Sequence, residues 1–267
     1  MNLLLDIGNT NIKWAWHDDS LRGFNDLSYE DSEVADIVEA IADNEYETTG
    51  IWLASVADDE FTEELAEALA DEFDVEAIYV EVEEDAFDIR LAYPKPEHLG
   101  VDRWLAMIAA RSIVDGPLIV ADAGTALSVD GLLDDGTHIG GMICPGMHLM
   151  QDAVMEDTAK VAEHAVEAAE HIELFADNTA SAVLSGSVFA AVALIEYAAD
   201  ELERISGELP EVFLTGGGAS TLAPLMGLEV HVLRELVLRG LALIVEEDDA
   251  ADEDEDEVED DEEYEDE

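Results

Sequence analysis

Leu3-Leu4-Leu5-Asp6-Ile7-Gly8-Asn9-Thr10-Asn11-Ile12-Lys13, followed at once by Trp14-Ala15-Trp16, is the stretch around which the rest of the chain is read. An apolar run ends in Asp-x-Gly-Asn-Thr and resumes as the alternation Ile12, Trp14, Trp16. That pattern predicts a strand, a tight glycine turn and a second strand. Gly8 lets the backbone approach a ligand, the N–H groups of the turn can point at phosphate oxygens, and Thr10 and Asn11 add neutral donors. Asp6 closes a buried strand, where a carboxylate is expensive without a partner, and Mg²⁺ carrying nucleotide phosphates is the obvious one. An ordinary hairpin turn fits these residues equally well.

A second copy of the pattern favours the phosphate reading. Leu118-Ile119-Val120-Ala121-Asp122-Ala123-Gly124-Thr125-Ala126-Leu127-Ser128-Val129-Asp130 repeats apolar strand, Asp-x-Gly-Thr and alternating strand. Val212-Phe213-Leu214-Thr215-Gly216-Gly217-Gly218-Ala219 supplies a third glycine turn after another apolar strand, placed to pass close to an adenosine. Two such hairpins in one chain suggest a duplicated fold with nucleotide held between its halves. The arrangement resembles the actin-like ATPase fold of sugar kinases, acetate kinase and heat-shock chaperone ATPases. That resemblance implies an α/β, two-lobed, duplicated ribonuclease H-like architecture with mixed sheets flanked by helices.

Composition sets the bounds. A chain of 267 residues suits two lobes of roughly 110 to 130 residues each, drawn here as 1–115 and 116–245, followed by an acidic tail, 246–267. No basic leader and no run of about 18 uninterrupted apolar residues is seen, which predicts a cytoplasmic protein without membrane contact. The single cysteine, Cys144, rules out an internal disulfide and reads as a small buried thiol. The net charge of −58 comes from 68 acidic and 10 basic residues. The tail holds 18 of the acidic ones, so the body is itself strongly acidic. Concentrated salt shrinks the Debye length to about 3 Å at 1 M and relieves such self-repulsion. With Lys13, Lys95 and Lys160 as its only lysines, the chain reads as a protein of a salt-rich cytoplasm or as a deliberately supercharged one. Binding of nucleic-acid phosphates is disfavoured.

Taken in order, the chain predicts a helix capped by Asp31-Ser32 with Val34, Ile37, Val38 and Ile41 inward, a strand at 50–56, a helix from Phe61 to Phe73 and a strand at 77–80. Gly100 opens a helix with Val101, Leu105, Ile108 and Ala109 inward, and Asp102 in its first turn. Asp102 capping the helix and Arg103 solvating its surface is the plain alternative to a role in chemistry. Gly140-Gly141 to Pro145-Gly146 is expected to turn the chain into a helix from Met147 to His171, with Met147, Met150 and Met155 as packing residues. His164 and His171 lack the neighbours of a zinc site. Ala180 to Arg204 reads as a buried helix lightly broken by Gly186, Val230 and Val232 as a last strand, Glu235 to Val245 as a closing helix, and the tail as disordered.

The resemblance becomes specific when five motifs are taken together. Asp6 to Lys13, Gly100-Val101-Asp102-Arg103, Asp122-Ala123-Gly124-Thr125-Ala126, Gly140 to Gly146 and Asp177-Asn178-Thr179 occur in the order and spacing of the type III pantothenate kinases. The likeness runs from residue 1 to about residue 245. It implies phosphorylation of pantothenate by ATP, the entry step to coenzyme A, with Mg²⁺ and K⁺ or NH₄⁺ as cofactors and a homodimer as the assembly. It further implies that Asp6, Ile7, Gly8, Asn9, Thr10, Asn11, Ile12, Lys13 and Thr125 bind ATP, with Asp6 near Mg²⁺. Asp102 would be the general base, Tyr93, Gly100, Val101, Asp102, Arg103 and Thr179 would line the pantothenate pocket, and Asp122 would hold the monovalent cation. The helix 180–204 is the expected dimer contact. A kinase for another hydroxylated acceptor, or a non-catalytic regulator like the family's transcriptional accessory factors, are the alternatives.

Overall fold

Alternation in the opening stretch is realised as a hairpin. The computed structural model describes residues 1–30, 32–158 and 172–262, and in it β1 (Asn2–Ile7) pairs antiparallel with β2 (Asn11–His17), Ile7 opposite Ile12 and Asp6 opposite Lys13. Leu3, Leu5, Ile7, Ile12, Trp14 and Trp16 enter one core together with Ile37 and Ile41 of α1 (Val34–Ala42) and Leu65 and Leu69 of α2 (Asp59–Phe73). Because side chains alternate along a strand, Asp6 and Lys13 stand on the opposite face from that core. β3 (Leu21–Ser28) adds an antiparallel edge, and β4 (Gly50–Ser55) and β5 (Ala77–Tyr79) follow in parallel, giving the order β3-β2-β1-β4-β5. β3 is absent from the sequence reading: it is an edge strand of largely exposed, mixed residues, so alternation is weak there. The cap of α1 is Glu33, whose N–H donates to Asp36 Oδ2 at 3.2 Å, in place of the expected Asp31-Ser32; Asp31 itself lies outside the described residues.

The second half repeats the plan. β8 (Leu118–Ala123), β9 (Ala126–Leu132), β10 (His138–Pro145), β11 (Glu211–Thr215) and β12 (His231–Val232) form a sheet of order β10-β9-β8-β11-β12, with the same antiparallel and parallel pairings position for position. β2 and β9 share the same succession of buried and exposed residues. Gly140-Gly141, expected to lead the chain out of the sheet, lies inside β10; the exit comes at Gly146, where α4 (Met147–Asp157) begins. The continuation expected to His171 lies outside the described residues, as do His164 and His171. A small hairpin, β6 (Asp85–Ala86) and β7 (Ile89–Arg90), precedes α3 (Val101–Arg111).

α5 (Thr179–Ser206) runs unbroken through Gly186. By length and composition it is the one helix among the described residues able to cross a membrane. Val188, Ala191, Val192, Ile195, Ala199 and Leu202 instead pack it against β8, β9 and β11 in the second core, the usual arrangement of a buried helix with more than one apolar face. A short turn of helix, α6 (Ala219–Leu222), follows β11.

Contacts divide the chain into two units, each discontinuous in sequence: Met1–Glu81, Gly100–Ala109 and Val237–Glu267 in the first, Val82–Leu99 and Ala110–Leu236 in the second. Contiguous lobes at 1–115 and 116–245 are the simpler division that sequence order suggests. The difference arises because the last helix, α7 (Leu236–Glu262), returns to the first unit and packs on α3. A Cβ on Gly240 would overlap the Leu105 carbonyl oxygen, so the two helices meet backbone to backbone. Helical backbone continues past Val245 into the acidic segment, where the sequence reading begins a disordered tail. Glu246 Oε1 lies 3.2 Å from the buried His17 Nε2, and once a helix is nucleated on a buried face its extension is inexpensive.

Candidate active site

The first unit brings Asp6, Lys13 and Asp102 together. Gly8 N–H donates to the Asn11 carbonyl at 3.0 Å, which closes the β1–β2 turn. Asp6 is 5% exposed, and its Oδ2 accepts from Lys13 Nζ at 3.0 Å. The carboxylate read from sequence as lacking a protein partner therefore has one, directly across the hairpin in register. Ile7 and Ile12, expected among the ATP-binding residues, put their side chains into the core, so that only their backbone can face a ligand. Asn9 and Asn11 are exposed at the turn and Thr10 is half-buried.

Asp102 is the second residue of α3. Its Oδ1 accepts the Arg103 N–H at 2.8 Å, and a Cβ on Gly100 would come within 2.5 Å of the same oxygen. Glycine at that position leaves room for the carboxylate. Burial raises the Asp102 pKa above the ordinary 3.8, and the negative charge of Asp6 raises it further; the Arg103 N–H, the Arg103 guanidinium and Lys13 pull the other way without cancelling the rise. Arg103 is buried at 7% exposure, which overturns the reading of it as a surface residue. Two carboxylates and two cations thus share one region of the first unit.

In the second unit Asp122 occupies the place that Asp6 holds in the first. Opposite it in the hairpin register is Ser128, where the first unit has Lys13. Gly124 N–H donates to the Ala126 carbonyl at 3.0 Å, and Gly124, Thr125 and Ala126 are exposed. Behind this turn the chain is packed tightly. Gly146 N–H donates to the Thr125 carbonyl at 2.9 Å and Gly218 N–H to the Ala123 carbonyl at 2.8 Å. Gly216, at φ +82°, lies against the Asp122 carboxylate so closely that a Cβ there would overlap Oδ1. The third glycine turn of the sequence reading thereby backs the second.

Gly100 to Arg103 belong to the first unit, and Tyr93 and Thr179 to the second. Thr179 opens α5, where the Asn178 side chain caps the helix by accepting the Ser181 N–H at 2.9 Å. It lines a cavity of about 720 Å³ together with Met150, Val154, Asp177, Asn178 and Ser187. Half-buried Tyr93 stacks instead on His138. Sequence reasoning missed Tyr29, His138 and Asp130. Tyr29 O–H donates to the Gly8 carbonyl at 2.6 Å and its N–H donates to the Thr10 carbonyl at 3.2 Å, which braces the first turn. Its ring stacks on Phe61 with centroids 4.6 Å apart. Nothing local in the sequence marks these three: Tyr29 reaches back to the first turn, and Asp130 meets His138 across neighbouring strands.

Two copies of one five-stranded sheet, each with an aspartate-led glycine turn between its first two strands, define an actin-like ATPase fold. Among solved structures the chain is similar to a Baf family transcriptional activator from Campylobacter jejuni (TM-score 0.60, 20% identity, 93% of this chain and 99% of that one). It is also similar to the activator of 2-hydroxyisocaproyl-CoA dehydratase from Clostridium difficile (TM-score 0.50, 12% identity, 95% and 97%). More particularly, the chain belongs to the type III pantothenate kinase family, whose profile its residues 2–201 match. It is 33% identical over 254 residues to the type III pantothenate kinase of Nitrosococcus oceani, covering 92% of this chain and 94% of that protein. With the type III pantothenate kinase of Thiobacillus denitrificans it shares 37% identity over 242 residues, covering 90% and 94%.

Proposed function

We propose that the chain transfers the γ-phosphoryl group of ATP to the primary hydroxyl of pantothenate, giving ADP and 4′-phosphopantothenate in the cytoplasm of a salt-adapted cell. The observation that carries this reading is the Asp102 carboxylate, held at the start of α3 beside Asp6 and Lys13 with its pKa raised. The hydroxyl oxygen attacks the γ-phosphorus, the bond from that phosphorus to the bridging oxygen of ADP breaks with its electron pair leaving on ADP, and Asp102 accepts the hydroxyl proton. Such transfer is largely a matter of positioning and charge stabilisation. A carboxylate more basic than usual suits the proton acceptor.

Residues 6–13 and Thr125 would hold the ATP phosphates, with Lys13 countering both Asp6 and the incoming anion. Arg103 would meet an anionic group of the acceptor through its fork of donors, with Gly100, Val101, Tyr93 and Thr179 as pocket walls. Hard oxygen donors suit Mg²⁺ at Asp6 and K⁺ or NH₄⁺ at Asp122. No group of three or more His, Cys, Asp and Glu gathers among the described residues, so these ions would be shared with phosphate and water. Bound there, they would neutralise phosphate charge in a strongly acidic protein. Exposed apolar residues Tyr197 on α5 and Phe175 just before it support a homodimer. ADP release in concentrated KCl, with and without pantothenate, tests the reading. Turnover that depends on pantothenate and yields a product heavier by one phosphoryl group is expected, and turnover indifferent to pantothenate would overturn it.

A further inference from the structure

One buried titratable pair in the second unit has no part in the proton transfer proposed above. Asp130 on β9 and His138 at the start of β10 are 2% and 1% exposed, and His138 Nε2 lies 3.0 Å from Asp130 Oδ1. On the other side of the ring the Ala92 N–H donates to His138 Nδ1 at 3.5 Å. Since Nδ1 accepts, the ring proton is on Nε2 and is donated to the carboxylate, so the imidazole is held at both ends. Tyr93 lies over this ring with centroids 6.0 Å apart and planes 4° from parallel, within the range of offset stacking. The chain just before it is pinned as well. Arg90 N–H donates to the Gly136 carbonyl at 3.0 Å, and its guanidinium donates to Thr137 Oγ1 at 2.9 Å.

We propose that Asp130 and His138 are positioning residues that set the plane of Tyr93 and through it the affinity for the acceptor substrate. The inference rests on the reading of Tyr93 as a wall of the pantothenate pocket. A buried carboxylate is retained only where it is satisfied, and here its partner is a ring whose other nitrogen and open face meet Ala92 and Tyr93. The dyad therefore orders in advance an aromatic side chain that binding would otherwise have to immobilise. Ordering one side chain on binding is worth about 3- to 10-fold in affinity.

Steady-state kinetics of Asp130→Asn, His138→Leu, Tyr93→Leu and the His138→Leu/Tyr93→Leu pair, with ATP and pantothenate varied separately, test this. Asp130→Asn and His138→Leu are each expected to raise the pantothenate KM about 3- to 10-fold while kcat and the ATP KM stay within about twofold; Tyr93→Leu, which removes the wall itself, is expected to raise the pantothenate KM at least as much, and the paired variant to be no worse than Tyr93→Leu alone. Nitrogen NMR of the wild-type protein is expected to show His138 protonated at Nε2 alone. An unchanged pantothenate KM in Asp130→Asn, additive effects of His138→Leu and Tyr93→Leu, or parallel movement of all three kinetic constants would overturn the inference. Wild-type turnover indifferent to pantothenate is a separate result, which removes the acceptor reading and this inference together.

Discussion

Asp102→Asn separates catalysis from stability in one substitution. The amide keeps the shape of the carboxylate, and its Oδ1 can still accept the Arg103 N–H that the native oxygen accepts at 2.8 Å. What it removes is a negative charge that burial and Asp6 disfavour and that Arg103 and Lys13 favour, the former pair prevailing because the pKa is raised. For an acid whose pKa is higher folded than unfolded, the native state holds more protons between the two values, so stability falls as pH rises through that window. At neutral pH the ionised carboxylate is therefore a net cost, and the neutral variant is expected to unfold at a higher temperature than the wild type. Below the ordinary value of 3.8 both forms are neutral at this position and the difference closes. Activity moves oppositely: loss of a positioned proton acceptor costs about 10²- to 10⁴-fold in kcat, or about 3 to 5 kcal/mol of barrier. Thermal unfolding of both proteins in the same KCl buffer at pH 7 and at pH 3.5, beside ADP release at pH 7, measures each part. A variant that loses stability at pH 7, or one that keeps its kcat, would refute the assignment.

Other substitutions probe the supports of this site. Lys13→Met leaves the buried Asp6 without the partner 3.0 Å away and is expected to cost up to about 3 kcal/mol, the low end for breaking a buried pair since Lys13 is partly exposed; urea unfolding checks this, and Asp6→Asn added to it should recover part of the loss. Gly240→Ala drives a methyl group into the Leu105 carbonyl and should cost about 1 to 3 kcal/mol, read as a lowered urea midpoint, with a fall in kcat as α3 shifts. The wild-type pH–rate profile should have its acidic limb above the usual carboxylate range, because Asp102 must be ionised to accept a proton; a limb at or below 3.8 would count against Asp102 as the base. With a net charge of −58, the melting temperature should rise from 0.1 to about 2 M KCl as repulsion is screened, and a flat response would remove the salt-adapted reading.

Elements with strong local patterns are legible in the amino-acid sequence. Both hairpins and the inward positions Ile37 and Ile41 follow from alternation and helical spacing, because each of those segments buries a dense apolar stripe. In α3 the expected Val101, Leu105, Ile108 and Ala109 are buried, but so are Trp104, Ala106, Met107 and Ala110, which a single helical face does not predict. The edge strand β3 is not legible in this way, since its residues are polar and exposed and its pairing depends on β2. The return of α7 to the first unit is hidden for a related reason: nothing in the helix expected over Glu235 to Val245 shows that Gly240 fits against the Leu105 carbonyl. Among the candidate residues, Asp6 and Asp122 announce themselves as carboxylates at the ends of apolar strands, and Asp102 as one two positions past a glycine. Arg103 is harder, because a charged residue in a first helical turn is ordinarily solvated, and only the packed helix shows it buried. Asp130 and His138 are eight positions apart on neighbouring strands, and register, not spacing, brings them together.

The two halves share a scaffold but not a charge pattern, and that difference bears on how a duplicated fold can do one-sided chemistry. Position for position, Asp6 faces Lys13 across its hairpin while Asp122 faces Ser128. In the first unit the lysine also lowers the cost of the neighbouring Asp102 carboxylate, although Asp6 and burial outweigh it. Asp6 is paired with Lys13, while burial and the Asp6 charge raise the Asp102 pKa, so in that unit one carboxylate is set against a cation and the other is made a better base than usual. The Asp122 carboxylate has the Gly216 backbone packed against it, where a Cβ would overlap Oδ1. The same turn thus recurs in both halves, and the residue opposite each aspartate, Lys13 in one and Ser128 in the other, is where the two copies part.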